Sequence, residues 1–133
     1  MAEAQFFHVS VVTPEKPVLE SDARFVAFPS HDGQVGVLVH RAAFLHRVGS
    51  GPLRVEASDG STELLFVSGG FAQMVDDRLT ILTEQAVAAD ELDQAAAEAA
   101  LADATALPAA DEASHERRQR AIDSAHAQAR MTD

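Results

Sequence analysis

The sequence predicts a β-sandwich N-terminal domain followed by an α-helical hairpin, and three observations carry that expectation. Up to about Ala88, short alternating runs are separated by turn residues at intervals of roughly eight to twelve, the rhythm of an all-β domain in two layers. Beyond it the composition changes: 13 of the 26 residues from 88 to 113 are alanine, the strongest helix former, and no β-rich run remains. Pro108 interrupts this tail, so it forms two helices joined by a short connection. The division expected is a β-sandwich domain over residues 1–88 and a two-helix hairpin over residues 89–133.

Phe7-His8-Val9-Ser10-Val11 alternates in period two, so it buries one face and wets the other. Thr13-Pro14-Glu15 turns the chain, and Arg24-Phe25-Val26-Ala27-Phe28 alternates more loosely as the next strand. Turns follow from Pro29 to Gly33 and at Gly49-Ser50-Gly51-Pro52, on either side of the block Gly33-Gln34-Val35-Gly36-Val37-Leu38. Leu53-Arg54-Val55-Glu56-Ala57 alternates apolar with charged residues, and Ser58-Asp59-Gly60-Ser61 after it is the best hairpin signal in the chain. Leu64 to Val67 and Phe71 to Val75 are strands flanking Ser68-Gly69-Gly70, and Asp76-Asp77 is the next turn. Gly36, Ser68, Gly69 and Gly70 are expected to serve structural turns, the paired glycines marking a bend where a side chain would clash. In the tail, Asp90-Glu91-Leu92-Asp93 places acidic residues in a first helical turn, where they suit the helix dipole, and a second helix runs from near Asp111 toward Met131. The larger apolar side chains there are only Leu92, Leu101, Leu107, Ile122 and Met131, so the seam is mostly alanine and its docking weak.

The 133 residues allow one small core, or one core plus a short appendage. With no cysteine there is neither a disulfide framework nor a thiolate nucleophile or metal site. The net charge of −11 argues against nucleic acid or an anionic lipid surface as the main ligand and favours a basic partner surface. Residues 1–89 carry eleven acidic against six basic side chains and residues 90–133 ten against four, so net charges of −5 and −6 make both parts acidic. Met1–Gln5 has neither a secretory nor a transit pattern, and no apolar run reaches the roughly 20 residues that cross a bilayer. Direct membrane insertion is not expected.

No catalytic constellation is visible. The six histidines do not cluster: His40 and His46 stand six apart with no partner at helical spacing, and His115 and His126 eleven apart. Ser68-Gly69-Gly70 lacks a nucleophile elbow, and Gly33-x-x-Gly36 lacks the lysine and helix start of a phosphate loop. Catalytic, metal and cofactor sites are therefore expected to be none. Arg117-Arg118-x-Arg120 is the only basic cluster, set in an acidic tail; it either pairs within its helix with Glu116, Asp123 and Asp111 or docks on an acidic partner.

Taken together, Val11-Val12-Thr13-Pro14-Glu15-Lys16, Gly33-Gln34-Val35-Gly36-Val37-Leu38, Ala42, Leu45, Phe66-Val67-Ser68-Gly69-Gly70-Phe71 and Leu92-Asp93 resemble the epsilon subunit family of F-type ATP synthases over nearly the whole chain. The resemblance implies a non-catalytic rotor subunit whose β-sandwich links the gamma subunit to the c-ring and whose helical tail can reach the alpha/beta catalytic head and inhibit ATP hydrolysis. It further implies a peripheral position on the cytoplasmic face of the cell membrane. Asp32, Gly33, His40 and Arg41 are the residues expected to face the c-ring, and Arg117, Arg118, Arg120 and Arg130 those able to make inhibitory contacts.

Two departures from the family pattern stand out. Where members commonly read Pro-Gly-His-Ala-Pro-Leu-Leu, this chain reads Val39-His40-Arg41-Ala42-Ala43-Phe44-Leu45, so the ring-facing loop is altered. The Ile/Leu-Asp-x-x-Arg-Ala motif that binds ATP in some members is absent; Arg120-Ala121 keeps the Arg-Ala pair but Asp123 follows it, and nucleotide binding is not expected. The alternative reading is an unrelated β-sandwich adaptor with a helical partner-binding arm. Co-purification separates the two.

Overall fold

The computed structural model describes residues 6–131; Met1–Gln5, read above as carrying no targeting signal, lie outside the described residues, as do 132 and 133. The chain divides into two compact units, Met1–Ala88 and Ala89–Asp133.

Nine strands make the first unit among the described residues: β1 Phe7–Val12, β2 Pro17–Ser30, β3 Gly33–Leu38, β4 Phe44–Arg47, β5 Ser50–Ala57, β6 Thr62–Ser68, β7 Phe71–Val75, β8 Arg78–Leu82 and β9 Gln85–Ala88. They hydrogen-bond in the order β4-β7-β8-β1-β2-β5-β6-β9, with β3 on the far half of β2. Alternation drives β1, where Phe7, Val9 and Val11 are buried and His8, Ser10 and Val12 are not. β2 explains how one continuous ladder becomes two layers. Its first half, to Ala23, pairs with β1, and its second half pairs with β3 and β5. The register shifts between Ala23 and Phe25, and a bulge of this kind bends a strand enough to change sheets. One layer is thus β4-β7-β8-β1 with the start of β2, and the other is β3 with the end of β2, β5, β6 and β9. Between them Phe28, Val37, Leu53, Val55, Met74, Leu79 and Ile81 pack with the β1 side chains, all at most 2% exposed.

Two sequence expectations change here. Gly49-Ser50-Gly51-Pro52 is not a turn, because β5 already begins at Ser50 and only Val48–Gly49 link it to β4. Pro52 is tolerated because β2 pairs with β5 only from Arg54 onward, leaving no ladder donor to lose on that side. Gly36 is likewise a strand residue, not a turn; it lies in β3, where a Cβ would stand 3.2 Å from the Phe25 ring that crosses it.

The second unit holds a short 3-10 turn, Ala89–Glu91, then α1 Gln94–Thr105 and α2 Glu112–Met131, packed on each other. Asp90 and Glu91 precede α1 instead of forming its first turn, because Asp93 in an extended conformation caps it, accepting from the Ala95 N–H at 3.1 Å. Asp111 caps α2 through the Ser114 N–H at 2.7 Å. Among the described residues the buried tail side chains are all alanines: Ala97 and Ala104 on α1, Ala125 and Ala127 on α2. Each removes only a methyl from water, on the order of 0.8 kcal/mol.

Candidate functional site

The pairing registers sort the sandwich connections onto two ends. At one lie the β1–β2 turn Thr13–Lys16, the β2–β3 turn His31–Asp32, Val48–Gly49, Gly69–Gly70 and Thr83–Glu84, tied by Thr83 N to Val12 O at 3.0 Å and Gly69 N to Gly49 O at 3.2 Å. At the other lie the β3–β4 loop, the Ser58–Ser61 hairpin and the β7–β8 turn Asp76–Asp77.

This sorting separates the residues expected to face a ring. Asp32 and Gly33 are exposed at the first end, where the Ser30 hydroxyl donates to Gly33 O at 2.8 Å and accepts from Asp32 N. His40 and Arg41 are exposed at the second. Between the two pairs runs all of β3, about 20 Å of extended chain. They form two clusters, not one. What joins them is β3 itself, an edge strand paired only to β2 among the described residues and ending in Leu38, which is 60% exposed.

The His40 cluster is held by several contacts. His40 is left-handed (φ 64°), its N–H donates to Asp77 Oδ1 at 2.6 Å, and its Nδ1 lies 3.0 Å from Asp77 Oδ2. Because a carboxylate only accepts, Nδ1 carries the proton in that contact. Arg41 folds back, with Nη1 donating to Gly36 O at 2.9 Å and Cζ 5.3 Å above the Phe44 ring. Phe44 stacks on buried Phe28 at 6.2 Å, which anchors the loop to the core. Asp77 was legible in the sequence only as a turn residue, since its role spans 37 positions.

At the opposite end Gly69 and Gly70 are both left-handed, with φ of 77° and 98°. They carry the chain from β6 in one layer to β7 in the other. A Cβ on Gly70 would overlap the Leu82 carbonyl, whereas one on Gly69 would meet only the end of the Glu84 side chain at 3.2 Å. Ser68, the last residue of β6, shares a 2.8 Å hydroxyl contact with Ser50.

The four tail arginines do not make the intrahelical ion pairs considered from sequence. Among the described residues no ion pair involves them, because Asp111 caps the helix and Asp123 accepts from Gln119 Nε2 at 3.0 Å. Arg118 lies half-buried in the hairpin, its Nε donating to Thr105 O at 3.3 Å and satisfying a terminal carbonyl of α1. Arg117 reaches the Ser114 hydroxyl at 3.4 Å, and Arg120 and Arg130 are exposed.

Two carboxyls are shifted. Asp59 is held below the ordinary carboxylate range by the Ser61 hydroxyl and then the Ser61 N–H, and Asp111 by the Ser114 N–H and then the Ser114 hydroxyl. Both are turn or cap interactions. Among the described residues no group of three His, Asp or Glu side chains is placed to hold a metal ion, and no helix is long and apolar enough to cross a membrane.

Residues 6–89 match the family described as "ATP synthase, Delta/Epsilon chain, beta-sandwich domain". An "ATP synthase epsilon chain" of Rhodopirellula baltica is 45% identical over 98 residues, 74% of this chain and 76% of the relative. One of Desulfosudis oleivorans is 41% identical over 97 residues, 73% of each. Among solved structures, a chain of the Euglena gracilis mitochondrial ATP synthase, an OSCP/F1/c-ring assembly, superposes with TM-score 0.78 at 23% identity, covering 96% of this chain and 81% of that one. A chain of the Tetrahymena thermophila mitochondrial ATP synthase central stalk and c-ring gives 0.71 at 16% identity, covering 95% and 96%. At such identities the structural likeness shows the fold.

Proposed function

The chain belongs to the ATP synthase epsilon-chain family, a non-catalytic part of a rotary ATP synthase, and on that premise we propose that it is a central-stalk subunit linking gamma to the c-ring. In this reading residues 1–88 form the clamp, and the tail of residues 89–133 reaches the alpha/beta head and brakes ATP hydrolysis. The subunit sits peripherally on the cytoplasmic face of the cell membrane, held there by its partners.

The family match over the β-domain carries the reading. Geometry supports it in two places. Loop residues 40–43 are exposed yet tied down through His40 and Phe44, as a binding knuckle must be if association is not to order a floppy segment. The hairpin seam is built from alanine methyls, so separating α1 from α2 exposes little apolar surface. Arg117, Arg120 and Arg130 have no acidic partner among the described residues and are available to an acidic cleft, where charge-assisted contacts gain strength from desolvation.

The clamp is tested by the double variant His40→Asp with Arg41→Glu in reconstituted synthase. ATP-driven ion pumping should fall while the isolated chain keeps its melting temperature. Pumping equal to that of the native enzyme would remove the loop from the ring interface.

A further inference from the structure

We propose that Asp77 is a positioning residue for the partner-binding loop: its carboxylate locks His40 and so fixes the direction in which Arg41 is presented. The inference rests on the reading of that loop as a ring contact, and it concerns a residue on a different hairpin.

The chain leaves one layer at Leu38 and joins the other at Phe44, so the loop between them crosses the end of the sandwich. In the crossing His40 takes a left-handed conformation (φ 64°), which a residue with a Cβ seldom holds without outside support. Asp77 is that support. One carboxylate oxygen accepts the His40 backbone N–H at 2.6 Å and the other receives the imidazole Nδ1–H at 3.0 Å, so backbone and side chain are gripped together. Asp77 is itself firmly placed. Asp76 and Asp77 are both left-handed (φ 50° and 58°), forming the two-residue hairpin of β7 and β8, and the Asp77 carbonyl accepts the His8 N–H of β1 at 3.0 Å. Glycine or asparagine would serve the turn equally well, so what the aspartate adds is the carboxylate.

The lock reaches Arg41 because it is the next residue. With His40 fixed, the Arg41 N–H meets Leu38 O at 3.3 Å, and its guanidinium rests on Gly36 O and the Phe44 ring. Released, the loop would still connect β3 to β4, but the cation would have no fixed place. Asp77 therefore acts through His40 and has no need to touch the partner.

Two variants separate this role from turn formation. Asp77→Gly keeps the left-handed turn and removes the carboxylate; Asp77→Asn keeps the turn and one acceptor for the His40 N–H. In the full-length free chain, Asp77→Gly should speed hydrogen exchange at the His40 amide about five- to tenfold, the worth of a lost hydrogen bond, while core amides such as that of Val55 stay protected. In reconstituted synthase the same variant should lower ATP-driven ion pumping, and Asp77→Asn should restore both readouts most of the way. Unchanged exchange at His40 in Asp77→Gly would overturn the inference. So would faster exchange with undiminished pumping in an assay where Arg41→Glu does lower pumping, and that outcome leaves the ring-contact reading intact. Undiminished pumping in Arg41→Glu as well would overturn both.

Discussion

Replacing Gly70 by alanine should damage the β-domain far more than the same change at Gly69, although the two are adjacent and both left-handed. At Gly69 the cost is mainly conformational, about 1–2 kcal/mol for an L-residue at positive φ, because the Glu84 side-chain end that a Cβ meets at 3.2 Å can swing away. At Gly70 the same penalty applies, and the Cβ also stands 2.7 Å from the Leu82 carbonyl carbon and 2.8 Å from Thr83 Cα. Those are backbone atoms in the link between β8 and β9, so relief requires moving the strand ends. Overpacking of this kind adds about 1–3 kcal/mol, giving about 2–5 kcal/mol in all. For a domain of this size each kcal/mol lowers the melting temperature by about 4–8 °C, so Gly70→Ala should melt at least about 8 °C below the native chain. Gly69→Ala should fall between them. The chain has no Trp or Tyr, so calorimetry on the full-length protein is the suitable assay. Equal melting temperatures for the two variants would refute the steric argument, and a native-like Gly70→Ala would refute the conformational one as well.

Arg118→Ala removes the donor that satisfies Thr105 O and should cost the hairpin about 0.5–1.5 kcal/mol, seen as earlier loss of helical ellipticity, whereas Arg120→Ala should not; identical melts for the two would contradict the capping role. The folded-state pKa of Asp111 is lowered by Ser114, so its stabilising contribution is present above the unfolded value and is lost as pH falls through the folded one. Helicity should therefore hold above about pH 4 and decline below it, and Asp111→Asn should flatten that decline; superimposable acid titrations would sink the assignment. Deleting residues 90–133 should raise ATP hydrolysis by the assembled enzyme without impairing assembly, and neutralising Arg117, Arg118, Arg120 and Arg130 should reproduce most of the rise. Equal hydrolysis with and without the tail would leave it no braking role.

The legible parts of this fold were those whose signals are local. Alternation gave β1 and the Leu53–Ala57 part of β5, and Ser58-Asp59-Gly60-Ser61 gave the β5–β6 hairpin, in which Asp59 Oδ1 accepts from the Ser61 N–H at 2.9 Å. Alanine content and Pro108 gave two helices. β2 was underestimated, read as Arg24–Phe28 where it runs Pro17–Ser30, because Glu20, Ser21 and Asp22 look like loop residues until β1 supplies their ladder partners. The site was less legible than the fold. Asp32, Gly33, His40 and Arg41 lie close in sequence, but the extended strand between them sets them at opposite ends of the sandwich. The grip of Asp77 on His40 and the capping of α1 by Arg118 are contacts between separate elements, and no periodicity or spacing encodes such contacts.

Whether this chain works inside a rotary ATP synthase as its epsilon subunit is decided by tagging it in its own cells and identifying what purifies with it under gentle solubilisation. Gamma, the alpha and beta subunits and the c-ring should be recovered with it. Recovery of the tagged chain without any of those subunits would contradict it.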